Sequence, residues 1–208
     1  MRTRFVRETA DVRRQALIDA TARCLAEKGV GGTTVRAICG AAGVSSGLLT
    51  HYFDGLDAII LATYRDVGLR VSRAMDQAVA AAGPDPRDRL RALLMANFQP
   101  PVLDPDLLAT WICFWSLVKS SENIATAHAE IYAASRAQME ALLHEAAPTL
   151  KKGEVRLAAI SLTALVDGLW LELCLDPSSF GAPAAQAMVD HWMLQVIGTA
   201  GVTASTSA

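Results

Sequence analysis

Punctuation limits the fold of this chain more than any other feature. Glycine and proline at Gly29, Gly83, Pro84, Pro100, Pro101, Pro105, Pro148, Gly153, Pro177, Gly181 and Pro183 cut the sequence into segments of helical length. Within these segments apolar residues recur at helical spacing, and alternating runs are scarce. The expectation is an all-α protein with helices near 9–28, 35–42, 46–52, 57–82, 87–98, 106–120, 124–146, 154–175 and 184–197. Residues 199–208 are small and polar and read as a flexible tail.

Two short segments carry the sharpest local signals. Thr34 is placed to cap a helix whose inward positions are Val35, Ile38 and Ala42, and Gly43 can supply the left-handed residue of a tight turn. Val44 then provides an apolar plug and Ser45 a second N-cap, while Leu49 and Phe53 form an inward i, i+4 pair. Ser46, Gly47, Leu48, Thr50, His51 and Tyr52 face outward, with no acidic residue before Asp54. Such a face enters a DNA major groove without repelling phosphate; an ordinary helical hairpin with a solvated face is the plain alternative.

Charge agrees with the first reading. Residues 1–55 hold eight Lys/Arg against five Asp/Glu, giving +3, and the remainder holds eleven against sixteen, giving −5. The four cysteines are scattered singly and read as reduced thiols, mostly buried. The N-terminal stretch lacks the apolar run of a secretory signal, so a cytoplasmic location is expected. Residues 155–175 are apolar enough to raise a membrane helix, but Arg156, Asp167 and Glu172 interrupt them, and no membrane partner is expected.

The run T-V-R-A-I-C-G-A-A-G-V-S-S-G-L-L-T-H-Y-F, residues 34–53, resembles the signature of tetracycline-repressor-type (TetR) regulators. The resemblance implies a three-helix helix-turn-helix domain over residues 1–55 and a helical ligand-binding and dimerisation domain over 56–198. It implies phosphate contacts from Thr34 and Tyr52, a base contact from Arg36, and contacts at or in the groove from Ser45, Ser46, Gly47, Leu48, Thr50 and His51. Arg2, Arg4, Arg7, Arg13 and Arg14 read either as a flexible arm on phosphate or as a solvated basic tail. One position departs: the family usually places Lys three residues after the Phe, and here it is Leu56, between Asp54 and Asp57. Weaker non-specific DNA binding with a shallower salt dependence is expected from that change.

The segment 154–175 is apolar nearly all round, which a helix tolerates only when covered on several sides. A symmetric homodimer packing through Ala158, Ser161 and Leu165 explains it. The resemblance implies that a helix with Met188, Trp192 and Val196 completes a four-helix interface. Two-fold symmetry then predicts a palindromic double-stranded operator.

Trp111, Phe114 and Trp115 share one helical face, and Trp170 follows Asp167 by three residues. Aromatic faces with a carboxylate in reach suit a quaternary ammonium cation, which has no N–H to donate; the same stripe also suits an ordinary core. N-F at Asn97 and Phe98, W-x-x-F-W at 111–115 and A-L-V-D-G-L-W at 164–170 are similar to the BetI-like branch, the choline-responsive repressors of glycine betaine synthesis. That similarity implies a choline-like effector bound near Asn97, Phe98, Trp111, Phe114, Trp115, Asp167 and Trp170.

An enzyme is not expected. Gly29, Gly31 and Gly32 have the wrong spacing for a phosphate loop, and the four histidines are too dispersed to predict a metal site. His128 and His144 read as solvated helix residues and His191 as a polar-face residue. No cofactor is expected. Two rivals stay open: a regulator of the same architecture responding to an unrelated hydrophobic ligand, and a ligand-binding protein with little DNA binding.

Overall fold

The computed structural model describes residues 2–198, with side chains from Ala10 onward. The expected tail, 199–208, and the side chains of Arg2, Arg4 and Arg7 lie outside the described residues. The described chain is built of α-helices and one short 3-10 turn: α1 (Arg2–Gly32), α2 (Val35–Ala42), α3 (Ser46–Tyr52), α4 (Gly55–Ala81), α5 (Pro86–Met95), the 3-10 turn (Ala96–Phe98), α6 (Pro105–Leu117), α7 (Glu122–Ala146), α8 (Lys152–Leu175) and α9 (Ala182–Ile197). Every expected helix is present, and most ends differ by a few residues. The larger change is at the N-terminus, where α1 starts at Arg2, so Arg13 and Arg14 stand on a helix and not in a flexible arm.

The described residues pack as two units, one of residues up to 71 with 104–132 and the other of 72–103 with 133 onward. In the first, α1 packs on α2 and on α6, and α2 packs on α3. α1 breaks at Gly29, whose φ of 65° and ψ of −176° are not helical. Its inward residues are Leu17, Ile18, Ala20, Cys24 and Leu25, all buried, whereas Ala16 is exposed. Two contacts tie α6 to the backbone of α1: Thr110 Oγ1 donates to Ala22 O at 3.2 Å, and Cys113 Sγ to Leu25 O at 3.4 Å. Arg70 on α4 pairs with Asp19 on α1 and with Asp66, the latter at 2.6 Å, and Gln15 reaches both carboxylates.

In the second unit α9 packs on α5, on the 3-10 turn and on α8. Asp85 caps α5 and is followed by Pro86 at the first turn, where a missing N–H costs nothing. The start of α8 is held by the Glu154 carboxylate, which accepts from Lys151 N at 2.7 Å. Arg91 makes a two-pronged bond to Asp190 at 2.7 and 2.8 Å, and Arg89 meets Glu145 at 2.8 Å. α8 is long and apolar enough to cross a membrane by length and composition, and 39% of its most apolar stretch is buried inside the protein.

Candidate functional site

The DNA-reading candidate begins with two caps. Thr34 Oγ1 accepts from Ala37 N at 3.2 Å at the start of α2, and Ser45 Oγ accepts from Leu48 N at 3.4 Å at the start of α3. Between the helices Gly43 has φ 66° and ψ 33°, and its N–H closes α2 on Cys39 O and Gly40 O. A side chain at that φ costs about 1–2 kcal/mol, so the tight turn depends on glycine. These three residues fix the hand-off from one helix to the next.

The inward side is sealed. Ile38 and Leu49 are fully buried, Cys39 and Phe53 nearly so, and they pack with Leu17, Ile18, Ala20, Cys24 and Ile59. Burial pushes the Cys39 thiol above its ordinary range, which keeps it protonated and inert. Cys24 is also buried, whereas Cys113 and Cys174 are half-buried, so two of the four thiols are less enclosed than the sequence suggested.

The outward side carries Thr34, Arg36, Ser45, Ser46, Gly47, Thr50 and His51, all exposed. Leu48 and Tyr52 are half-buried, and Tyr52 leans on the core with its ring edge-on to His51 at 5.0 Å. Tyr52 therefore divides its surface between packing and solvent, and is less outward than the sequence alone suggested. Thr50 Oγ1 donates to Gly47 O at 3.1 Å and to Ser46 O at 3.3 Å. Leu56 is half-buried and packs against the same core, so apolar contact occupies the position where the resemblance implied a Lys.

A second assembly lies in the same unit. Tyr64 of α4 stacks on Phe114 of α6 at 4.3 Å and meets the edge of Trp111 at 5.6 Å. The Tyr64 hydroxyl and His128 Nδ1 of α7 are joined by a 2.9 Å hydrogen bond, and the His128 ring lies 4.2 Å from that of Tyr132. The Tyr132 hydroxyl accepts from both indoles, Trp115 Nε1 at 3.0 Å and Trp111 Nε1 at 3.4 Å. Trp111, Phe114 and Tyr64 are buried; Trp115, His128 and Tyr132 are half-buried. His128 is thus a member of an aromatic cluster and not a solvated helix residue. Tyr64 escaped the sequence reading because it is the lone aromatic of α4, and Tyr132 because its one signal was the i, i+4 spacing from His128, itself read as solvated.

Asn97, Phe98, Asp167 and Trp170 fall in the second unit. Trp170 Nε1 donates to Asn97 O at 3.0 Å, and Asn97 Nδ2 donates to Leu93 O and Leu94 O. Asn97, Phe98 and Trp170 are buried, and Asp167 is half-buried. Asn97 spends its amide on the end of α5, so its observed role is to satisfy backbone carbonyls.

The candidate contact face between copies differs in exposure from residue to residue. Ala158 is buried within its own chain, Leu165 is half-buried and Ser161 is exposed, on a stripe of α8 that also exposes Leu157, Ile160, Ala164, Gly168, Leu171 and Leu175. Leu157 and Leu175 are 67% and 68% exposed. On α9 Met188 and Leu194 are exposed, Trp192 and Val196 half-buried, and Trp192 Nε1 donates to Ser161 Oγ of the same chain at 3.3 Å.

Residues 17–63 match the model for bacterial regulatory proteins of the tetR family, and residues 86–198 that for the C-terminal part of BetI-type transcriptional repressors. The helix-turn-helix and the helices behind it are those of a TetR-family transcriptional regulator. Over 189 residues, 88% of this chain and 93% of the relative, the sequence is 38% identical to the HTH-type transcriptional regulator BetI of Burkholderia ambifaria. The chain belongs to the BetI type of the TetR family. Among solved structures it is similar to a Pseudomonas aeruginosa PAO1 protein assigned as a transcriptional regulator, with 39% identity, a TM-score of 0.83 and 92% of each chain covered. It also shares its fold with a regulator from Saccharomonospora viridis solved in complex with choline, at 19% identity and a TM-score of 0.72, over 86% of this chain and 94% of that one.

Proposed function

We propose that this regulator is a homodimer that represses from a palindromic double-stranded operator and lets go when a choline-like cation binds. The carrying observation is the exposed face of α3, polar and free of acidic groups, held by two caps and Gly43 over a sealed core. Ser46, Gly47, Leu48, Thr50 and His51 are assigned to the groove, Thr34, Ser45 and Tyr52 to the phosphates, and Arg36 to a base edge. Two copies paired through the exposed stripes of α8 and α9 present two such helices, so half-sites about 34 Å apart, or a multiple of that, are expected. Residues 1–55 act as the reader and 56–198 as the body in this scheme, inside a cytoplasmic protein.

The ligand reading rests on the cluster of Tyr64, Trp111, Phe114, Trp115, His128 and Tyr132. Its half-buried members offer aromatic faces to a cation, an interaction worth about 0.5–2 kcal/mol per well-placed ring. The fold by itself selects no ligand, although the S. viridis regulator accommodates choline within it. Asp167, Asn97, Phe98 and Trp170 belong to the second unit and are left out of this cluster; Asn97, Phe98 and Trp170 are assigned to packing. Release requires that the ligand favour the arrangement unable to bind DNA, since only differential affinity shifts an equilibrium.

The test is a titration of choline, betaine aldehyde and tetramethylammonium followed by thermal melting and by operator retention. A specific ligand at a hundred times its Kd adds about 2.7 kcal/mol of stability and raises Tm. Trp115→Ala and Tyr132→Ala are expected to remove the shift. A folded protein that shows no shift with any of these cations, and unchanged DNA affinity, refutes the ligand assignment while leaving the DNA assignment intact.

A further inference from the structure

We infer that Arg14 is a pre-ordered phosphate clamp at the exit end of the recognition helix, an inference that rests on the assignment of α3 as the DNA reader. Its guanidinium carbon lies 5.0 Å from the centroid of the Phe53 ring. Phe53 is the C-cap of α3, nearly buried, with its N–H bonded to Leu49 O at 2.9 Å. The cation is therefore anchored on the residue that ends the reading helix. Arg14 itself is exposed and makes no ion pair among the described residues.

The position of Arg14 beside the end of α3 suits a phosphate contact. A recognition helix reads bases with its N-terminal residues, so its other end emerges toward the sugar–phosphate rim. At that end the helix presents its negative dipole pole, followed by the exposed carboxylates of Asp54 and Asp57. Leu56, on the first turn of α4, is turned into the core and brings no charge. Of the described arginines of this unit, Arg70 is held by Asp19 and Asp66, Arg65 meets Glu130 at 3.5 Å, and Arg23 donates to Ala41 O at 3.4 Å. Arg14 offsets the negative end of α3. Its stacking on Phe53 also restricts its rotamers before DNA arrives, so less side-chain entropy is lost on contact.

The experiment measures binding of the full-length protein to a random-sequence duplex across a salt series, comparing wild type with Arg14→Ala, Arg14→Lys and, as a charge control in the second unit, Arg73→Ala. Arg14→Ala is expected to weaken binding about tenfold at low salt and to make the slope of log K against log salt shallower by about 0.9, one phosphate's worth. Arg14→Lys should keep the slope with somewhat lower affinity, and Arg73→Ala should match wild type. Circular dichroism melts establish that each variant is folded; should Arg14→Ala melt early, Arg14→Gln supplies the same reading. An Arg14→Ala or Arg14→Gln slope equal to that of wild type or of Arg73→Ala overturns the assignment. Absence of any binding by folded wild type instead overturns the DNA-reading assignment of α3 on which this one stands.

Discussion

The recognition helix α3 exposes Ser46, Gly47, Thr50 and His51 over a closed apolar core, whereas α8 exposes Leu157, Ile160, Leu171 and Leu175 and closes its core on the opposite side. Each surface is incomplete in its own way. The α3 face is already solvated at no cost and awaits a polar, charged partner. The α8 face loses by contact with water, at roughly 2 kcal/mol for each large aliphatic side chain left uncovered, and awaits an apolar partner. In the proposed scheme the first determines what the protein reads, and the second whether two readers are held together.

The largest expected effect follows from breaking the apolar side of this comparison. Ala164→Glu places a carboxylate in the middle of the exposed α8 stripe, where a second copy would bury it unpaired. Sedimentation velocity should show a monomer, and operator affinity should fall more than a hundredfold because two half-sites are no longer engaged together. A variant that still sediments as a dimer would remove α8 from the proposed interface.

Next in size is the difference between the two sides of α3. Leu49→Ala leaves a cavity under the reading helix and should lower unfolding stability by about 2–5 kcal/mol. Thr50→Ala and His51→Ala, on the exposed side, should leave the denaturation midpoint nearly unchanged while weakening operator binding. If Leu49→Ala and Thr50→Ala shift the midpoint equally, the assignment of inward and outward faces is wrong.

The smallest effect concerns the cap that begins the motif. Thr34→Ala removes the acceptor for Ala37 N and should cost about 1 kcal/mol of stability. Thr34→Ser, which keeps the oxygen, should restore most of that. In DNA binding the same pair tests the hydroxyl: a loss of affinity shared by the Ser and Ala variants would point to the methyl group and against both capping and phosphate contact.

Most of the reader was legible in the sequence because its determinants are local. Thr34, Gly43, Ser45 and the Leu49–Phe53 pair each act within four residues of themselves, through a cap, a left-handed turn or one helical repeat. The aromatic cluster was legible only on α6. Tyr132 meets Trp115 across 17 residues and His128 meets Tyr64 across 64, and contacts at such separations leave no period along the chain.

The sequence by itself determined the helical segments, the turn chemistry of the helix-turn-helix and, through its motifs, the family. Tertiary structure alone decided which side of α8 is exposed, because a helix apolar all round has no preferred face until its neighbours are in place. It also turned Leu56 into the core, and it fixed Arg14 over Phe53, 39 positions further along the chain. In each of these cases the deciding energy is burial against, or stacking on, a partner remote in the chain, which local propensity does not encode.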